Sequence, residues 1–215
     1  MKDLLYKEFR LCWHPAMFLF LLFGTFLLFP SWPFFIAFGY IVFPVNTLFF
    51  VDRANRDVFF TALLPVRKKD VVLAKVCLVA IIELLQIIVA VPFAVINNAV
   101  YLKGNMVGMN TNFAFFGLVL MMYAIFNLIF LPGFYKTAYK VGMPIILAIC
   151  AAAVYVTAVD VAVVSVPVLR ASLDGLGSSH MASQLPVLFA GIILFASLTL
   201  LAYRISARRF ERLDL

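Results

Sequence analysis

Few side chains in this sequence are of types that do chemistry, and most of those lie in apolar surroundings. Glu83, Gln86 and Asn97 share one hydrophobic run, at intervals that bring them within about 60° of one another on a helix. Polar groups at membrane depth are costly and turn toward protein or water. Two readings stay open for this stripe: interhelical hydrogen bonding, or the lining of a translocation path or a subunit interface. Thr157 and Asp160 form a second pair on one face of a later run, with Asp160 expected near the outer interface, where its charge costs less.

Metal or acid–base catalysis needs convergent histidines and carboxylates. His14 and His180 fall on opposite sides of the membrane in the topology derived below, and Glu83 has no histidine or second carboxylate near it in its run. An intramembrane enzyme is disfavoured on that inventory, and no catalytic or metal-binding residue is assigned. Cys12, Cys77 and Cys150 lie in or beside apolar runs without close spacing, which makes them packing residues rather than a disulfide framework or zinc site. No glycine is followed by lysine, so the phosphate-cradling loop G-x-x-x-x-G-K-[ST] is absent. The chain binds no ATP and no other cofactor by itself.

The stretch 52–76, DRANRDVFFTALLPVRKKDVVLAKV, holds nine of the 27 charged residues of the chain. Val58, Phe59, Phe60, Leu63 and Leu64 cover most of one side of a short helix capped by Asp52 or Asn55. Pro65 ends that helix and starts another, whose first turn holds Arg67, Lys68 and Lys69. Basic residues there oppose the helix dipole by about 0.3–1 kcal/mol each. Anionic lipid headgroups or an acidic partner surface would offset the cost. Adjacent phenylalanines in a short cytoplasmic helix suit insertion into a partner's groove.

These residues sit between long apolar elements. The chain has 215 residues, 66% hydrophobic and 13% charged, and a mean hydropathy of +1.10. That leaves too little polar surface to cover a soluble globule. The sequence predicts an all-α polytopic membrane protein, one transmembrane domain over 1–215. An amphipathic interfacial helix covers 1–14, with Leu5, Tyr6, Phe9, Cys12 and Trp13 on its apolar face. Six spans follow at about 15–29, 34–50, 76–101, 113–131, 141–166 and 185–203, each near the length a helix needs to cross. Pro30 and Pro33 break the first two into a hairpin. The N-terminus does not read as a cleaved signal peptide, and GSSHMAS (177–183) reads as a native loop.

Fifteen of the 17 Lys and Arg residues fall on one side of this arrangement, and only Lys103 and Arg170 on the other. The positive-inside rule then puts both termini in the cytoplasm. The net charge of +7 follows from those loops and gives no reason to expect nucleic acid.

The amphipathic start MKDLLYKEFR, the cytoplasmic stretch D…FFTALLPVRKKDVVLAKV and the six-span layout together resemble the ABC-2 family of ABC transporter permeases. The resemblance covers the whole chain in layout, and its most specific piece is LLPVRKKDVVLAKV. It implies an exporter of a peptide or other amphipathic or hydrophobic compound, located in the plasma membrane. It makes 52–75 the coupling region, with Phe59, Phe60, Leu63, Leu64, Pro65, Arg67, Lys68 and Lys69 docking into a separate ATPase subunit. ATP and magnesium would be bound there, and a second permease copy or homologue would complete the pathway. The alternative is a non-transporting accessory or immunity protein that binds a partner through 52–75.

Overall fold

The computed structural model describes residues 2–12, 19–62, 66–101, 104–137, 140–177 and 180–213. The regular structure of these residues is helical throughout. Helix α1 (Lys2–Cys12) is the amphipathic element at the start. A short apolar helix, Leu19–Leu28, follows, with Leu22–Leu28 wound as a 3-10 helix. Helices α2 (Phe34–Gly39) and α3 (Val42–Ala54) run nearly end to end and form one membrane-length stretch, Phe34–Ala54. The short α4 (Asp57–Ala62) leads toward α5 (Lys68–Val100). Helices α6 (Phe113–Phe134), α7 (Gly142–Ser165), the short α8 (Pro167–Leu173) and α9 (Met181–Glu211) complete the chain.

Among the described residues five helical stretches are long and apolar enough to cross a bilayer: Phe34–Ala54, α5, α6, α7 and α9. The protein is an all-α, multi-pass membrane protein. The first expected span, 15–29, is not one of the five. Its described part, Leu19–Leu28, reaches about 15–20 Å at helical rise, short of the ~30 Å hydrocarbon core. Residues 13–18 lie outside the described residues. Gly24 lets this segment lie close on α5: a Cβ there would sit 3.0 Å from the Ala90 Cα.

Three boundaries differ from the sequence reading. Helix α5 begins at Lys68 with Arg67 as its N-cap, so Pro65 does not open it and Arg67 is not in its first turn. Neither Asp52 nor Asn55 caps α4: Asp52 is inside α3, and Asn55 is the C-cap of α3. Arg56 turns the corner between the helices with φ at +52°, a left-handed conformation that costs a non-glycine residue about 1–2 kcal/mol. The tail after Tyr203 stays helical to Glu211.

Helix α6 forms the centre. Phe115, Tyr123, Phe126, Phe130 and Phe134 on it are almost completely buried. It meets α9 backbone to backbone: a Cβ on Gly117 would lie 2.5 Å from the Val187 carbonyl oxygen. Small residues permit such close helix packing where lipid supplies no hydrophobic drive. Helix α7 lies at the other extreme, with Met143, Leu147, Val154 and Val161 more than half exposed. An apolar exposed face of this kind matches hydrocarbon rather than water.

Candidate functional site

At the end of the molecule that carries α1, four helices are joined through charged side chains. Helix α5 is about 50 Å long at 1.5 Å per residue, more than a ~30 Å hydrocarbon core requires, and its first turns carry its charged residues. There Lys75 is buried among apolar residues at 3% exposure. Its ammonium lies 2.7 Å from Asp52 Oδ2 on α3 and also pairs with Glu8 on α1. Glu8 and Asp52 are themselves 1% and 4% exposed. Taking such charges out of water is costly unless they are closely paired, and here one lysine serves two carboxylates on two other helices.

A second set of contacts extends this junction to α4. Lys7 donates to Asp57 Oδ2 at 2.7 Å and to Thr61 Oγ1 at 2.7 Å. Thr61 is fully buried, so α4 rests on α1 by a polar face. Its other face carries Phe60, which is 64% exposed. A cavity of about 360 Å³ beside Phe60 is lined by Lys7, Val51, Asp52, Asn55 and Asp57. Burial pushes the phenol of nearby Tyr135 above its ordinary range, with the carboxylates of Asp52, Glu8 and Asp57 adding to it.

The basic residues Arg67, Lys68 and Lys69 divide. Arg67 and Lys69 are exposed. Lys68 turns inward: it donates to the Leu213 carbonyl at 2.6 Å and lies 5.7 Å above the Phe210 ring. It therefore holds the C-terminal end of α9. Asp70 shares the first turn of α5 and offsets part of the dipole cost expected from the lysines. Leu63, Leu64 and Pro65 lie outside the described residues, as do the side chains of Val58 and Phe59.

The intramembrane stripe is buried and bonded across helices. Gln86 donates to the Ala37 carbonyl at 2.9 Å and accepts from the Tyr123 hydroxyl at 2.7 Å. Glu83 Oε2 accepts from Asn127 Nδ2 at 2.8 Å. Asn97 is buried, and its Nδ2 has no partner among the described residues. Thr157 and Asp160 part company. The Thr157 hydroxyl donates to Ala153 within its own helix, whereas Asp160 accepts from the Met109 backbone N–H at 3.0 Å.

A family model described as an ABC-2 family transporter protein matches residues 3–211. The chain belongs to the ABC-2 transporter family. No curated protein and no solved structure matches it. Membership makes it an ABC-type transport permease, a transmembrane subunit.

The opposite end of this ABC-2 permease is tied by a polar network that the sequence did not reveal. Asp174 accepts from the Asn110 N–H at 2.7 Å, next to the Asp160 bond. Two consecutive backbone amides are thus held by carboxylates from two elements. Asn112 Nδ2 donates to the Leu173 carbonyl at 2.6 Å, Asn98 Nδ2 to the Thr111 carbonyl at 2.7 Å, and Asn105 Nδ2 to the Trp32 carbonyl at 3.3 Å. Gly108 must lack a side chain, because a Cβ would sit 2.7 Å from Asp160 Oδ2. Burial pushes the Asp174 carboxyl above its usual range, against the Asn110 bond that lowers it.

Sequence periodicity held a signal for the inner junction. Lys75 falls at i+4, i−4 and i−7 from Val71, Val79 and Ile82, all buried. A cation on an apolar helical face calls for buried partners. Glu8 likewise falls three residues after Leu5, on the apolar side of α1, while Tyr6 proves 64% exposed.

Proposed function

We propose that this permease is the transmembrane half of an ATP-driven exporter, moved by a separate ATPase chain that binds at α4 and takes ATP and magnesium. The observation that carries the reading is the inner junction, in which α1, α3, α4 and α5 are tied by Lys7, Glu8, Asp52, Asp57 and Lys75. A push on α4 is passed by those ion pairs to two membrane-crossing helices. Phe60 supplies an exposed aromatic anchor, the type that dominates interfaces. Phe59, Leu63, Leu64 and Pro65 complete the docking surface in this reading, with Arg67 and Lys69 at its membrane edge. Lys68 braces it from behind.

Export of an amphipathic or hydrophobic compound is supported by a cavity of about 600 Å³ among α2, α3, α6 and α7. Its walls include Phe35, Tyr40, Phe43, Met122 and Ile149, with Asn46 and Thr157 as polar points, a composition common to small-molecule sites. In this reading the chain crosses six times with both termini in the cytoplasm, an arrangement the fifteen-to-two split of basic residues supports, and it sits in the plasma membrane as its family suggests. A second permease copy or homologue completes the pathway.

The test is copurification. A tagged permease should carry an ABC ATPase from native membranes, and Phe60→Asp should abolish that recovery while leaving the permease folded. Equal recovery with wild type and variant would remove α4 as the docking element.

A further inference from the structure

The contact between Glu83 and Asn127 lies in the middle of the spans, where α5, α6 and α9 meet. Glu83 Oε2 accepts from Asn127 Nδ2 at 2.8 Å, and Thr199 Oγ1 on α9 is 3.4 Å from the same nitrogen. Glu83 and Asn127 are both fully buried. The second oxygen of each group, Glu83 Oε1 and Asn127 Oδ1, has no hydrogen-bond partner among the described residues. Both orphans are acceptors, and they belong to two groups already joined by one hydrogen bond.

An ionised carboxylate only accepts, while a carboxamide has two donors and one acceptor. With Glu83 charged, the contact therefore contains one satisfied pair and two acceptors without donors, each bearing its full desolvation penalty. Turning the amide over, a choice that geometry alone must settle, gives no relief. It would bring two oxygens to the 2.8 Å now spanned by the N–H···O bond, and that separation needs a proton between them.

Among the described residues no ion pair involves Glu83. Lys75 on the same helix is two turns away, about 12 Å at 1.5 Å per residue. On α9 the nearest basic residue is Arg204, five positions beyond Thr199. The titratable neighbour on α6 is Tyr123, whose hydroxyl is donated to Gln86.

We propose that Glu83 and Asn127 form a proton-binding site. One proton, taken from water, sits on Glu83 Oε1 and is donated to Asn127 Oδ1. The N–H···O bond already present closes an acid–amide ring, and no net charge remains at membrane depth. The ring satisfies both orphans at once. Loss of the proton would leave a charge and two opposed acceptors between α5 and α6, which weakens the contact between the two helices.

Infrared spectroscopy of the purified permease in nanodiscs tests this directly. Glu83→Gln should remove one carboxylic-acid C=O band from the spectrum at neutral pH and no carboxylate band. Asn127→Leu should shift that acid band to higher frequency, because the acid loses its amide partner. Loss of a carboxylate band in Glu83→Gln would overturn the proposal, showing an ion solvated by water. Thermal stability gives a second reading. Glutamine replaces the O–H by an N–H, so Glu83→Gln should melt with wild type while Glu83→Ala melts lower. Equal losses in the two variants, or a sodium-dependent stability of wild type that Glu83→Gln abolishes, would also overturn it. Should the glutamine variant fail to fold, the band shift in Asn127→Leu still decides.

Discussion

Replacing Lys75 by methionine removes one ammonium and keeps most of the side-chain volume. Lys75 pairs with Glu8 and Asp52 in a site where the three residues are 1–4% exposed. Its removal leaves two buried carboxylates without their shared cation. Breaking a buried pair on one side costs about 3–5 kcal/mol, or between two and four powers of ten in the folding equilibrium. Against a total stability of about 5–15 kcal/mol, Lys75→Met alone should unfold the inner junction. The triple variant Glu8→Met, Asp52→Leu, Lys75→Met removes the charges together and leaves no buried polar group, so its cost should fall to near zero. Thermal unfolding in detergent, followed by the loss of the monodisperse peak, measures both. The decisive quantity is the difference between them. If the triple variant is as unstable as the single one, the lysine acts through its packing and the electrostatic account fails. If Lys75→Met is as stable as wild type, the junction is not a load-carrying contact at all.

Three further predictions follow from other parts of the molecule. Gly191→Leu should disrupt the α6–α9 contact, since even a Cβ there would collide with the Gly117 carbonyl oxygen; overpacking costs about 1–3 kcal/mol or more, and Gly142→Ala, with nothing within 4 Å of its Cβ, should melt with wild type. Asp174 has its carboxyl raised by burial, so the folded state holds that proton more tightly than the unfolded one. Stability should therefore increase as pH falls from the raised value toward the ordinary 3.8, and Asp174→Asn should flatten that part of a pH-dependent melting series. Reporters fused after Arg209 and within 106–110 should report cytoplasmic and external locations; a cytoplasmic signal from the second would end the six-crossing arrangement.

The long elements were readable because they carry a physical signature that survives any packing. Runs near Phe113 and Val141 are apolar on every side, and a bilayer-length apolar run has little choice but a helix. The helix ends were less readable. Nothing local stops α9 at Tyr203, and its extra turns are held by tertiary contacts such as Arg209 to the Pro132 carbonyl. The first span shows the same limit: its composition suits a crossing, but Gly24 against Ala90 is a pairwise fact. For the candidate site, the positions of Glu83 and Gln86 on a shared face were visible, whereas Asn127, Tyr123 and Ala37 as their partners were not. Glu8 and Lys75 are 67 positions apart, and only the packing of α1 on α5 brings them together. The apolar face of α4 was expected, but Lys7 as the group that fixes its orientation was not.

Helix α5 runs without interruption from Lys68 to Pro92 and on to Val100, which gives the molecule a lever. With Lys75 clamped near one end, a tilt of about 5° over the ~35 Å from there to Asn98 displaces that far end by about 3 Å, about the length of a hydrogen bond. Asn98, near that far end, holds Thr111 at 2.7 Å. A small rotation at the charged junction would thus be magnified, by leverage alone, into a movement large enough to break that bond. Pro92 lacks the N–H that would tie it to the preceding turn, so the stiff arm is the one joined to α1 and α3, and flexing at Pro92 reduces the movement that reaches Asn98.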